Sequence, residues 1–184
     1  MPKLKDMRFK QSGFTIIELI VVIVIIGILV TLTMVTYGGV QARSRDTIVK
    51  NAAKQLATEL LRYSSDTGNT PLQTGGGYNG TGIGWVSSLI VDPNYPVAIE
   101  TVLTNGGYLP AGFTKGLPAN IKYNNSSSST LMLYGCGSKY VVYYSLEAPT
   151  PSDIADFNNN VIPACPDAST VQSSYNMQGG YIFN

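Results

Sequence analysis

The sequence predicts an α+β chain in which a long N-terminal helix precedes a C-terminal antiparallel β-sheet. Three observations carry that expectation. Residues 14–42 contain one charged side chain, Glu18; residues 48–61 place apolar side chains at spacings of three and four; and residues 130–147 alternate in two runs separated by Gly137-Ser138.

The apolar run accounts for an unusual composition. The 184 residues are 44% hydrophobic and only 12% charged, against about 25% charged in an ordinary soluble domain. From Leu19 to Val30 every residue is Ile, Val or Leu except Gly27. At about 1.5 Å per residue, some 20 such residues cross a hydrocarbon core of about 30 Å, so a membrane span over about 14–36 is expected. The first 13 residues hold Lys3, Lys5, Arg8 and Lys10 against Asp6, a net of +3. Positive residues flanking a first span stay on the cytoplasmic side, which places the rest of the chain outside.

Past the span the helix changes character. Ile48, Val49, Ala52, Ala53, Leu56, Ala57, Leu60 and Leu61 form an apolar stripe, with Lys50, Asn51, Lys54, Gln55, Thr58, Glu59 and Arg62 filling the other face. Asp46 and Lys50 are spaced for a favourable i, i+4 pair, whereas Lys50 and Lys54 repel, so burial of the stripe must hold this half. Breakers cluster over Ser64–Pro71, and no proline lies between Pro2 and Pro71. One helix from about 15 to about 65, about 75 Å long, is expected, with Gly38-Gly39 its weakest point.

Residues 68–84 are Gly-rich but lack the Lys-Ser/Thr of a phosphate cradle, and read as a surface connection. Residues 85–91 are apolar, 92–96 a turn, and 97–103 a short helix ending at Asn105-Gly106-Gly107. Strands are expected over Asn120–Tyr123, Thr130–Cys136 and Lys139–Glu147, with a tight turn at Gly137-Ser138 and a longer one over 124–129. Residues 148–184 are rich in Pro, Asn and Ser and weakly periodic. Cys136 and Cys165, 29 positions apart in an oxidising compartment, predict a disulfide that pins this tail to the end of a strand.

Several functions are excluded. The sequence contains no histidine, which removes Ser-His-Asp and Cys-His catalysis, His-ligated metals and imidazole pH switching together. A formal charge of +1 rules out a strongly basic nucleic-acid binder as a description of the whole chain, and the twelve tyrosines read as sheet packing rather than base-stacking platforms, so nucleic acid is not indicated as a partner. Asp153, Asp156 and Asp167 with Asn158–Asn160 offer oxygen atoms of the kind calcium takes, but scattered acids in a polar tail read as solvated, so no metal site and no cofactor is assigned. Asn79, Asn124 and Asn125 stand in glycosylation triplets and read first as turn residues.

The leader junction is the most specific feature. Lys10-Gln11-Ser12-Gly13-Phe14-Thr15-Ile16-Ile17-Glu18-Leu19, running into the apolar helix, resembles the type III signal sequence of type IV pilins and pseudopilins. The resemblance is specific over residues 8–35, looser over 36–71 and architectural beyond. It implies a pilin fold, with the long helix packed on the sheet and a cysteine-closed C-terminal region. It implies that a prepilin peptidase cuts after Gly13 and methylates Phe14, so that a leader of residues 1–13 is removed, a helix over 14–66 is retained, and residues 67–184 form the extracellular part. Cleavage creates an amino group on Phe14, one turn from Glu18. That carboxylate, expensive at membrane depth unless paired, then sets register and assembly. Many members carry proline eight residues after the glycine equivalent to Gly27; here Val35 stands there.

An ordinary secretory signal, cut after Ala42, is the competing reading. The apolar core is too long for it, and Glu18 sits inside its start. The resemblance implies no enzyme but a structural subunit that polymerises with other pilin subunits, served by a prepilin peptidase, an assembly ATPase and an inner-membrane platform. It is a single-pass membrane protein before assembly and part of a surface filament for adhesion, twitching motility or DNA uptake after it. A pseudopilin of a secretion or competence system is the alternative, and an unpolymerised membrane-anchored binding protein a further one.

Overall fold

The computed structural model describes residues 13–69, 84–88, 93–94, 97–118 and 131–184, with Val35 and Thr36 described by their backbone alone. Helix α1 runs Ile16–Thr67, 52 residues, and passes through Gly27 and Gly38-Gly39 with helical backbone. It ends where Gly68 takes φ +69° and donates its N–H to the Ser64 carbonyl at 3.0 Å, the left-handed stop that glycine adopts without Cβ strain. The breakers Ser64–Thr67 thus lie within the last turn. The chain forms two compact units, Met1–Val40 and Gln41–Asn184.

In the first unit every described side chain of α1 is exposed. In the second, Val49, Ala52, Ala53, Leu56, Ala57 and Leu60 of α1 are buried in one core with Leu131, Leu133 and Val142 of the sheet and with Ile99 and Leu103 of α2 (Ile99–Asn105). The three alanines present little beyond a methyl group, which lets the backbone of α1 approach its neighbours closely. Ile48 and Leu61, expected in the stripe, lie on its flanks and remain 48% and 41% exposed.

The sheet has four antiparallel strands in sequence order: β1 (Gly84–Trp85), β2 (Leu131–Cys136), β3 (Lys139–Tyr144) and β4 (Gly179–Phe183). The expected two-residue hairpin is present: Cys136 pairs with Lys139 across Gly137, whose φ is +68°. The expected strand over 120–123, the turn over 124–129, most of the 68–84 connection and all three glycosylation triplets lie outside the described residues.

The tail departs from expectation. Instead of an irregular polar segment it forms α3 (Pro151–Asp156), a π-helical turn (Phe157–Val161), α4 (Ile162–Ala164), α5 (Ala168–Tyr175) and then β4, the edge strand beside β3. Phe157, Val161, Cys165, Ala168, Val171 and Met177 cover the second sheet face, where Trp85, Met132, Val141 and Tyr143 are buried with them. The physical reason is that β2 and β3 are apolar on both faces, and a sheet so built must be covered on both. A Cβ on Gly179 would run into the ring of Tyr144, and one on Gly180 would lie 2.9 Å from both Val141 and Val161. Glycines there admit the tyrosine ring on one face and the π-helical turn on the other.

Candidate functional site

Helix α1 begins on a reciprocal cap. The Thr15 N–H and hydroxyl donate to Oε2 of Glu18 at 2.8 and 2.7 Å, and the Glu18 N–H donates to the Thr15 hydroxyl at 3.2 Å. Two amide donors that no helical carbonyl can reach are satisfied in this way, and Glu18 stands in the first turn, where a carboxylate complements the helix dipole. Gly13 precedes the helix, and Phe14 is 91% exposed. Gly13, Phe14 and Glu18 therefore lie together at the head of α1.

Beyond them Ile16 to Leu32 present an apolar surface with no large side chain below 46% exposure. Its hydroxyls bond back into the helix, Thr31 to the Gly27 carbonyl and Thr33 to that of Val30, both at 2.8 Å. A helix whose polar groups are met internally suits hydrocarbon or another apolar helix. Helix α1 is long and apolar enough to cross a membrane.

In the second unit the polar residues of α1 do not pair as their spacing predicts. Asp46, 3% exposed, turns from Lys50 and accepts the N–H groups of Glu147 and Ala148 at 2.7 and 2.9 Å. Lys50 instead reaches Asp153 at 2.5 Å, and Arg45 binds both oxygens of Glu147 at 2.7 Å. Tertiary partners replaced the local pair because two amides fix a carboxylate more firmly than a mobile lysine does. The Arg45 hydrogen bonds hold the Glu147 carboxyl below its usual range. Burial opposes ionisation of Asp153, but the bonds from Lys50 and Thr150 prevail and lower it. Burial, reinforced by Asp153 and Asp156, pushes Tyr144 up to about 12.

A second buried carboxylate was not foreseen. Glu100, 2% exposed, accepts from the amide and hydroxyl of Ser88 at 3.0 and 2.9 Å and from those of Thr114 at 2.9 and 2.7 Å. Burial raises its proton affinity, yet the four hydrogen bonds outweigh it and keep the carboxyl below the usual range. It ties α2 to the segments around Ser88 and Thr114. No sequence pattern marked Glu100, because its partners lie 12 and 14 residues away.

Cys136 and Cys165 are joined as a disulfide, which links the end of β2 to the tail; the buried Tyr143 hydroxyl donates to Cys165 Sγ at 2.9 Å. Burial raises the Tyr143 phenol well above its ordinary value. Asp153 caps α3 through Thr150 and Asp156 accepts from Asn160. Among the described residues no group of three or more His, Cys, Asp or Glu is placed to hold a metal. Thr15 is the residue that sequence reasoning missed. Its signal was in plain view, since Thr-x-x-Glu ahead of an apolar run is the signature of a capping box.

The family model for the prokaryotic N-terminal methylation motif matches residues 8–34. The match spans Gly13, Phe14, Thr15, Glu18 and most of the exposed apolar surface, and it supports the type III signal sequence of type IV pilins and pseudopilins. The layout is pilin-like: a long N-terminal helix with an apolar stretch, then a C-terminal antiparallel four-stranded sheet. The motif is a structural one rather than that of an enzyme, and it supports a pilin-like or pseudopilin protein, with α1 the candidate for a membrane anchor. No curated protein and no solved structure matches the chain.

Proposed function

We propose that this chain is the structural subunit of a type IV pilus. A prepilin peptidase removes residues 1–13 by cutting between Gly13 and Phe14 and methylates the new amino terminus. The subunit waits in the membrane with α1 as its span. An assembly ATPase, acting through an inner-membrane platform, moves it into a filament whose core is built from the apolar halves of many α1 helices. Residues 67–184 then face outwards and determine what the filament touches, in adhesion, twitching motility or DNA uptake.

The observation that carries this reading is an apolar helical surface left exposed from Ile16 to Leu32, headed by a carboxylate, within the matched motif at residues 8–34. Lipid and neighbouring helices are about equally apolar, so transfer between them gains little by burial alone and an external energy source is needed. Glu18 supplies specificity instead. Its charge favours the one axial register that brings a neighbour's Phe14 amino group to it.

The test has two arms. Mass spectrometry of the mature protein is expected to find methylated Phe14 as its first residue, and an N-terminus at Arg43 or an uncut leader would defeat the reading. Electron microscopy of sheared surface material is expected to show long fibres containing this chain. Processed chain without long fibres on the surface would overturn the pilus reading and leave the pseudopilin and the unpolymerised anchored protein.

A further inference from the structure

We propose that Tyr37 seats α1 in the bilayer: its ring lies at the outer boundary between hydrocarbon and phospholipid headgroups, and the span ends there. The proposal rests on the reading of α1 as the membrane span of the waiting subunit.

The apolar surface of α1 does not mark its own end. Past the Ile16 to Leu32 stretch, Met34 and Val40 are still 74% and 64% exposed, Gly38 and Gly39 continue the helix, and the first charged residue after Glu18 is Arg43. Charge alone would let the span run on to Arg43. Length opposes that. As helix, Glu18 to Arg43 is a rise of about 38 Å against about 30 Å of hydrocarbon, and fitting it would need a tilt of about 37°, near the upper limit for spans. Glu18 to Tyr37 is a rise of about 28 Å, which fits the hydrocarbon almost untilted.

Tyr37 also has the chemistry of that boundary. It is 65% exposed and is the one aromatic residue in α1 ahead of Tyr63. A phenol offers an apolar body to acyl chains and a hydroxyl to hydrated headgroups, and tyrosine concentrates at membrane boundaries for that reason. The hydroxyls of Thr31 and Thr33 bond back to helix carbonyls, which suits hydrocarbon. A hydroxyl at the end of a rigid ring cannot fold back in this way and must be met from outside the helix. The residues just beyond give little reason to sink deeper. A Cβ on Gly38 or Gly39 would meet nothing within 4 Å, so neither glycine serves close packing inside the subunit, and drawing them into hydrocarbon would remove no side-chain methylene from water.

The experiment measures depth. Full-length chain is reconstituted in phosphatidylcholine vesicles whose acyl chains carry bromine either near the carbonyl end or near the chain end, and tryptophan quenching is read. The native Trp85 is 1% exposed, and the parent chain supplies its background. Ile28→Trp, at a position 57% exposed and midway between Glu18 and Tyr37, is expected near the bilayer centre. Tyr37→Trp is expected about 14 Å from that centre, so bromine near the carbonyls quenches it more, and bromine near the chain ends quenches Ile28→Trp more. Val40→Trp, which leaves Tyr37 in place, reads its effect: adding Tyr37→Leu is expected to draw that probe inwards and raise its quenching by bromine near the carbonyls about twofold.

Tyr37→Trp quenched mainly from the chain ends, or by neither lipid, would overturn the proposal. So would a Val40→Trp profile that Tyr37→Leu leaves unchanged. In each of those cases Ile28→Trp is still quenched from within the bilayer, and the membrane reading stands. An Ile28→Trp that neither lipid quenches is the separate result that defeats both.

Discussion

The two halves of α1 solve opposite problems with the same backbone. From Ile16 to Leu32 the large apolar side chains are 46% exposed or more, whereas from Val49 to Leu60 the stripe of Val49, Ala53, Leu56, Ala57 and Leu60 is fully buried. The second half is amphipathic and finds its core within its own chain; the first is apolar all round and can be satisfied only by lipid or by other helices. A helix segment's periodicity therefore tells where its partner lies. A stripe points to the same chain, and a full cylinder points outside it.

The largest expected effect separates a buried stripe position from an exposed flank one. Leu56→Ala opens a void in a core where Leu56 is fully buried and is expected to cost about 3–4 kcal/mol. Ile48→Ala, at a position 48% exposed, is expected to cost about 0.5 kcal/mol. Denaturant unfolding of the full chain in detergent measures both. A similar loss at the two positions would break the distinction between stripe and flank.

Next is the disulfide. It closes a loop between positions 136 and 165 and joins the sheet to the layer that covers its second face. Cys136→Ser with Cys165→Ser is expected to lower stability by about 3 kcal/mol. Hydrogen exchange is expected to rise first in residues 151–175, which pack on that face, and less in the buried stripe of α1. Uniform loss of protection across both cores would mean that the tail and the α1 core unfold as one.

These two cores also show what was legible in the sequence. The α1 stripe, the hairpin at Gly137 and the cysteine pair were readable because each is a local pattern with one physical meaning. The tail was not. Its helices are six, three and eight residues long, too short for a period to emerge, and they are joined by a π-helical turn that shifts the phase. Its strand opens with Gly179-Gly180, and glycine is a poor strand former; it is required there by the tyrosine ring on one side and by Val141 and Val161 on the other. Two clues were nonetheless present. Met132, Val141 and Tyr143 make the expected strands apolar on both faces, which calls for a second layer. Thr150-Pro151-Ser152-Asp153 is a capping box with proline at the first helical position, and with Thr15 and Glu18 it makes a second such box in the chain. At the candidate site Glu18 stood out as the one charge in an apolar run, whereas Thr15 was passed over although Thr-x-x-Glu ahead of that run marks a capping box.

The smallest effect in the series, and the one with a pH signature, concerns Glu100. Glu100 has both oxygens engaged: Oε1 by the Thr114 amide, Oε2 by Ser88 and the Thr114 hydroxyl. Its carboxyl is held below the ordinary range in the folded chain. A group with a depressed folded pKa contributes stability that is present above its unfolded value, about 4.3 for glutamate, and that is lost as pH falls through the folded value. Asp153 and Glu147 are shifted in the same direction, so the parent chain is expected to weaken on acidification below about pH 4.3. Glu100→Gln keeps the shape but replaces one oxygen by an NH₂ donor facing donors, and is expected to cost about 2 kcal/mol at pH 7. The gap between parent and variant should then narrow as pH falls, because the parent loses what the variant never had. Denaturant midpoints for both chains at pH 7 and pH 3 measure it. A gap that stays constant would assign the role of Glu100 to packing and shape rather than to its charge.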